Sequence, residues 1–131
     1  MRSVVYVDSS ALVKLVLPEP ERQALRTFLY RSAPVVSCAL ARVEVSRATR
    51  PHGRDAVRAA REVVATTDFI GVDDAMLDDA ATIGPATLRT LDAIHLAAAL
   101  TLGAELEALV TYDRRLADAA RSLGIEVRAP A

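Results

Sequence analysis

The chain is an α/β protein with a mainly parallel sheet covered by helices. Three observations predict this. Five short apolar runs, at residues 3–7, 35–38, 68–72, 107–112 and 125–128, have the length and β-branched content of strands. Segments with helical spacing of apolar residues fall between them. Strands that alternate with helices need crossover connections, and crossovers join parallel neighbours. At 131 residues, with 52% hydrophobic and 25% charged side chains, the chain fits one domain, 1–131, able to bury a real core.

Ser3-Val4-Val5-Tyr6-Val7 gives the first strand, and helices follow near 9–16 and 20–32. Pro18 and Pro20 separate those two, because proline removes a helical donor and clashes with the preceding turn. Val35-Val36-Ser37-Cys38 is the second strand. Helices at 40–49 and 54–66 flank Pro51-His52-Gly53, a turn signal. After the strand at 68–72 come helices at 73–83 and 91–103, the second apolar nearly all round. The strand at 107–112, a helix at 113–123 and the strand at 125–128 complete the series. Gly103 and Gly124 read as helix stops. There is no internal repeat, no low-complexity tract and no long linker.

Composition removes several function classes. No run of about 18 apolar residues exists to span a membrane. Met1-Arg2-Ser3, with Asp8 soon interrupting the apolar run, is not a secretory signal. Cys38 stands alone in an apolar run and reads as a small buried hydrophobe, and a reduced, cytoplasmic setting is expected. The net charge is -1, so no global positive field draws nucleic acid. The basic residues are nevertheless uneven: all but Lys14 are arginine, and Arg42, Arg47, Arg50, Arg54, Arg58 and Arg61 crowd together.

Four acids, Asp8, Glu44, Asp92 and Asp113, sit where folding needs them least. An acid among apolar side chains costs free energy unless a cation or donor compensates it. Asp8 and Asp113 end strands, at the carboxyl edge where parallel sheets bind ligands. Each also precedes a helix and could cap it, although Ser9 and Ser10 offer an alternative to Asp8. Leu40, Ala41, Val43, Val45 and Ala48 define an apolar helix face with Glu44 near its middle, while Arg42, Ser46 and Thr49 point away. A salt bridge to Arg47 is the ordinary explanation for Glu44. Asp92 opens a buried helix, where it suits the dipole behind a Thr90 cap. His95, on the same face, reads as a hydrogen-bonded core residue outside the catalytic set. Asp73, Asp74, Asp78 and Asp79 read as a solvated helix face. Converging, the four acids would build a site for a hard divalent cation.

Four stretches together resemble the PIN-domain ribonucleases, most of all the VapC-type toxins of bacterial toxin–antitoxin pairs. They are Val7-Asp8-Ser9-Ser10-Ala11-Leu12-Val13-Lys14-Leu15, Ala41-Arg42-Val43-Glu44-Val45-Ser46-Arg47-Ala48, Leu88-Arg89-Thr90-Leu91-Asp92-Ala93-Ile94-His95-Leu96-Ala97 and Val110-Thr111-Tyr112-Asp113-Arg114-Arg115-Leu116. They match in order and spacing over essentially the whole length. The resemblance implies a three-layer α/β/α fold and an Mg²⁺ or Mn²⁺ site at Asp8, Glu44, Asp92 and Asp113. It also implies RNA cleavage leaving a 5′-phosphate and a 3′-hydroxyl, a homodimer, and inhibition by a small VapB-like antitoxin.

Hard dications prefer oxygen ligands, and Mg²⁺ keeps several waters beside one or two carboxylates. Asp8 and Asp113 are therefore expected as direct ligands, Asp92 as a contributor and Glu44 as the group that orients or activates water. Thr111 could hold a ligand-bound water. The RNA backbone is assigned to Arg47, Arg50, Arg54 and Arg58, with Arg61 beside them. Two other readings stand next to this one. A phosphoacceptor domain would want a lysine at a late strand end, but Lys14 lies in the first helix. A catalytically inactive PIN-like module could use the acids to bind an arginine of a partner protein.

Overall fold

The computed structural model describes residues 3–131; Met1 and Arg2, on which the reading of the chain's start partly rests, lie outside the described residues. Strands β1 (Val4–Val7), β2 (Val35–Cys38), β3 (Asp68–Ile70), β4 (Leu106–Val110) and β5 (Val127–Arg128) form one sheet in the order β3-β2-β1-β4-β5. Every pairing is parallel, with Tyr6 beside both Val36 and Leu109. Helices α1 (Ser9–Val16), α2 (Arg22–Arg31), α3 (Leu40–Thr49), α4 (Arg54–Ala65), α5 (Asp74–Thr82), α6 (Thr90–Leu100) and α7 (Arg114–Ser122) fill the intervals. Single 3-10 turns at Arg50–His52 and Gly103–Glu105 occupy the expected breaks.

From β1 to β3 the chain steps one way across the sheet; it then returns past β1 to lay down β4 and β5. Crossovers of one hand, run in opposite directions, put their helices on opposite faces. The result is the α/β/α sandwich. Strand alternation supplies both cores. Val5, Val7 and Val110 join Ala11, Leu12, Leu25, Ala41, Val45 and Ala60 on one side. Tyr6, Cys38 and Leu109 join Leu96, Ala97, Ala98, Ala99 and Leu116 on the other. Small side chains along α6 allow its backbone to approach the sheet, which leaves Ala93 to Ala99 buried in succession. Leu12 of α1 and Leu25 of α2 belong to the core.

Element boundaries differ from expectation where side chains take over backbone bonds. Thr111 and Tyr112 lie past the end of β4 rather than within it. Their surroundings explain this: Tyr112 N–H donates to Ser10 Oγ at 3.1 Å and Asp113 N–H donates to Thr111 Oγ1 at 3.1 Å. The face of α3 is also rotated from the expected one. Ala41, Val45 and Thr49 are buried, whereas Ala48 is exposed and Val43 is 59% exposed. Thr49 tolerates burial because its hydroxyl donates to Val45 O at 2.7 Å. Gly53, at φ +98°, turns the chain between α3 and α4 in a conformation that L side chains rarely adopt.

Candidate active site

The sheet order reverses between β1 and β4, so a crevice is expected beyond their carboxyl ends. Asp8 and Asp113 flank it. Asp8 follows β1 directly, and its N–H donates to Val110 O of β4 at 3.2 Å. It is only 3% exposed. Its Oδ1 accepts from Ser10 Oγ at 2.7 Å and from Ala11 N–H at 3.0 Å, and its Oδ2 accepts from Thr111 Oγ1 at 2.5 Å. Asp8 itself therefore caps α1, which the serines had been thought able to do instead. Thr111 is committed to Asp8, so its hydroxyl is not held out for a ligand-bound water. Burial raises the Asp8 pKa, against the pull of the Thr111, Ser10 and Ala11 donors.

Asp113 caps α7: its Oδ1 accepts from Arg115 N–H at 2.9 Å and Leu116 N–H at 3.1 Å, which leaves Oδ2 outside the cap. Asp92 stands in the first turn of α6, whose N-cap is Arg89 rather than the expected Thr90. Its Oδ2 is buried and has no hydrogen-bond partner. The Asp92 pKa is raised, first by burial and then by the negative charges of Asp113 and Asp8. Asp113 and Asp8 therefore both lie within electrostatic reach of Asp92.

Glu44 does not pair with Arg47. One partner comes from the neighbouring helix α1 and the other from α6 on the opposite face of the sheet: Ser9 Oγ donates to Oε1 at 2.6 Å, and His95 Nε2 lies 2.8 Å from the same oxygen. Burial works against ionisation here, but the His95 and Ser9 hydrogen bonds prevail and hold the Glu44 pKa below its usual value. His95 is 1% exposed, with Nδ1 against Tyr6 OH at 2.7 Å and Cys38 Sγ at 3.7 Å. Burial alone would favour the neutral ring; the Cys38 thiol and the Glu44 carboxylate override it and raise the His95 pKa to about 10. So His95 is the hydrogen-bonded core residue expected, but it also touches a candidate catalytic acid. Its spacing from Asp92 signalled the face; no local pattern signalled its contact with Glu44.

A hard dication fits this donor set. The unpartnered Asp92 oxygen and the repulsion Asp92 feels from Asp113 and Asp8 are what a cation would relieve. Among the described residues no three His, Cys, Asp or Glu side chains close around one ion. With three donors on Asp8, its free coordinating capacity is confined mainly to Oδ2.

The arginines form a separate feature. Arg50, Arg54, Arg58 and Arg61 line a cavity of about 460 Å³ with Gly53 and Val57. Arg47 is exposed on α3 and does not line it. The ion pair of Arg58 with Asp55 is long at 4.0 Å and largely exposed. Arg50 lies six residues beyond Glu44 along α3, about 9 Å of axial rise. A larger cavity, about 740 Å³ and lined by Val5, Phe28, Arg31 and Ala108 among others, includes none of the four acids.

The PIN domain family matches residues 5–122, from β1 through α7. The chain belongs to the PIN-domain family. This PIN domain is 51% identical over 128 residues to Ribonuclease VapC46 of Mycobacterium tuberculosis, covering 98% of each chain. It is 40% identical over 132 residues to Ribonuclease VapC47 of the same species, covering 97% of each. The crystal structure of M. tuberculosis VapC20, described as a sarcin–ricin loop cleaving toxin, superposes with a TM-score of 0.74 over 95% of this chain and 99% of that one. At 17% identity the superposition establishes the shared PIN fold. Among the described residues of this PIN domain, no helix is long and apolar enough to cross a membrane.

Proposed function

We propose that this chain is an endoribonuclease toxin of the VapC type, dependent on Mg²⁺ or Mn²⁺ and restrained by a small VapB-like antitoxin. The observation that carries the reading is the unrelieved carboxylate at the carboxyl edge of β1 and β4: Asp92 has a buried oxygen with no hydrogen-bond partner, and its pKa is pushed up first by burial and then by the charges of Asp113 and Asp8. Full-length relatives that bear the name ribonuclease support the activity, and family membership alone supports the homodimer and the antitoxin.

Asp8, Asp92 and Asp113 would hold the dication. When bound, it supplies a more acidic water and neutralises charge on the phosphate oxygens. Glu44, ionised and tied by one oxygen, orients the attacking water and takes up its proton. The arginines at 47, 50, 54 and 58 hold the RNA backbone, since the acids themselves repel it. In-line attack leaves a 5′-phosphate and a 3′-hydroxyl. Aromatic side chains are few, so grip is assigned to phosphate contacts and RNA shape, with structured RNA as the substrate class. An arginine of the antitoxin would fit the same acidic cleft.

Cleavage of labelled ribosomal and transfer RNA by the full chain tests the reading. Cleavage with Mn²⁺, abolished by EDTA and reduced at least about 100-fold in Asp8→Asn, is expected. EDTA-resistant cleavage, or an unimpaired Asp8→Asn, rejects the site. A well-folded chain that binds Mn²⁺ but cuts neither RNA favours the protein-binding reading.

A further inference from the structure

Glu44 uses only one carboxylate oxygen inside the protein. Ser9 Oγ and His95 Nε2 both address Oε1, at 2.6 and 2.8 Å, and among the described residues no hydrogen bond reaches Oε2. An ionised carboxylate can only accept, so Nε2 of His95 carries its proton toward Glu44. The His95 ring is itself fixed. Its Nδ1 meets Tyr6 OH at 2.7 Å, the two rings stand edge to face at 75° with centroids 5.8 Å apart, and both residues are buried. Tyr6 belongs to the central strand β1, and Cys38, 3.7 Å from the same Nδ1, ends β2. The ring is therefore anchored by two strands of the sheet. Glu44, by contrast, projects from a helix next to exposed Val43, and a glutamate so placed would otherwise spread over several rotamers.

We infer that His95, anchored by Tyr6, is a positioning residue: it ties back one oxygen of Glu44 and keeps the other turned to the acidic cleft. The inference rests on the nuclease reading above, in which Glu44 meets the attacking water. A misplacement of about 1 Å at such a group costs on the order of 100-fold in rate, so the clamp matters to turnover and much less to substrate binding.

Two readouts on the full chain separate the clamp from the nuclease reading. Side-chain scalar couplings of ¹³C-labelled glutamate report the rotamers of Glu44 without any reaction. Kinetics on structured RNA with Mn²⁺ report kcat and KM. In the wild type Glu44 holds one rotamer. His95→Leu lets it average and lowers kcat about 10- to 100-fold at unchanged KM. His95→Gln, whose amide can still donate to Oε1, keeps the rotamer and regains most of the rate. Tyr6→Phe falls between them and serves in place of His95→Leu if that variant does not fold. Rotamer averaging in the wild type overturns the inference. So does an unchanged kcat in His95→Leu, or a His95→Gln variant as impaired as His95→Leu on both readouts. A wild type with one Glu44 rotamer, lost in His95→Leu and kept in His95→Gln, upholds the clamp even if no RNA is cut; the missing cleavage then counts against the nuclease reading alone.

Discussion

Glu44 and His95 form an ion pair whose members titrate on opposite sides of neutrality. The folded pKa of His95, about 10, lies above its ordinary 6.5, so its contribution to stability is complete below pH 6.5 and is lost as pH climbs toward 10. The folded pKa of Glu44 lies below its ordinary 4.5, so its contribution is complete above pH 4.5 and is lost as pH falls through the lowered value. The pair therefore stabilises most between about pH 4.5 and 6.5. Urea midpoints measured against pH should decline from pH 6.5 to 10 in the wild type, and that decline should flatten in His95→Leu. At this scale the sequence was only partly legible. Asp8 and Asp113 stood out because strand-end acids need no long-range information. The Glu44–His95 contact joins α3 to α6 across 51 positions of chain, and no local spacing encodes it. The face of α3 was misjudged because alanine and valine occur on both its sides, so periodicity fixed its axis poorly.

The elements show how one acid can serve two purposes. Asp8 and Asp113 cap α1 and α7 through one oxygen each, so capping does not exclude the proposed role of either acid in the site. A helix N-terminus favours negative charge, which lowers the cost of placing carboxylates side by side. Asp73 caps α5 in the same way, accepting from Met76 N–H at 2.9 Å, although it had read as part of a solvated face. It provides the matched control. Loss of a cap costs about 1 kcal/mol, or about 4 °C in Tm for a chain of this size. Asp73→Ala should lose that much and keep its full response to Mn²⁺. Asp113→Ala should lose its Mn²⁺ response, as thermal melts with and without the ion will reveal. Most element boundaries were legible because proline, glycine and strand-length apolar runs punctuate the chain clearly. The end of β4 was not, because its last amides turn to Ser10 and Thr111 side chains that sequence spacing could not place.

Across the whole molecule, topology does the assembling. A parallel sheet that reverses its order between β1 and β4 sets residues 8 and 113 at one edge, and α3 and α6, from opposite faces, meet through the Glu44–His95 hydrogen bond. The shared edge of residues 8 and 113 was legible from alternation alone, since few arrangements satisfy parallel, right-handed crossovers. The arginines were legible as a cluster, but only the fold separates the four that line a cavity from Arg47. If Arg50, Arg54 and Arg58 hold RNA phosphates, Arg54→Gln should weaken RNA binding uniformly across sequences and reduce the slope of log K against log[salt] by about 0.7, the value for one lost single-strand contact. Filter binding at several salt concentrations measures it.

The central claim is that the carboxylates repel one another and that a dication relieves them. Thermal unfolding of the wild type and Asp92→Asn, in EDTA and then across an Mn²⁺ titration, tests it most directly. The account predicts that Asp92→Asn melts higher than the wild type in EDTA, by about 4 °C for each kcal/mol of repulsion removed. It predicts that Mn²⁺ reverses this order, stabilising the wild type by about 2.7 kcal/mol at a hundredfold excess over Kd and the variant by far less. Equal Mn²⁺ responses in the two proteins, or a variant that melts lower than the wild type in EDTA, would contradict it.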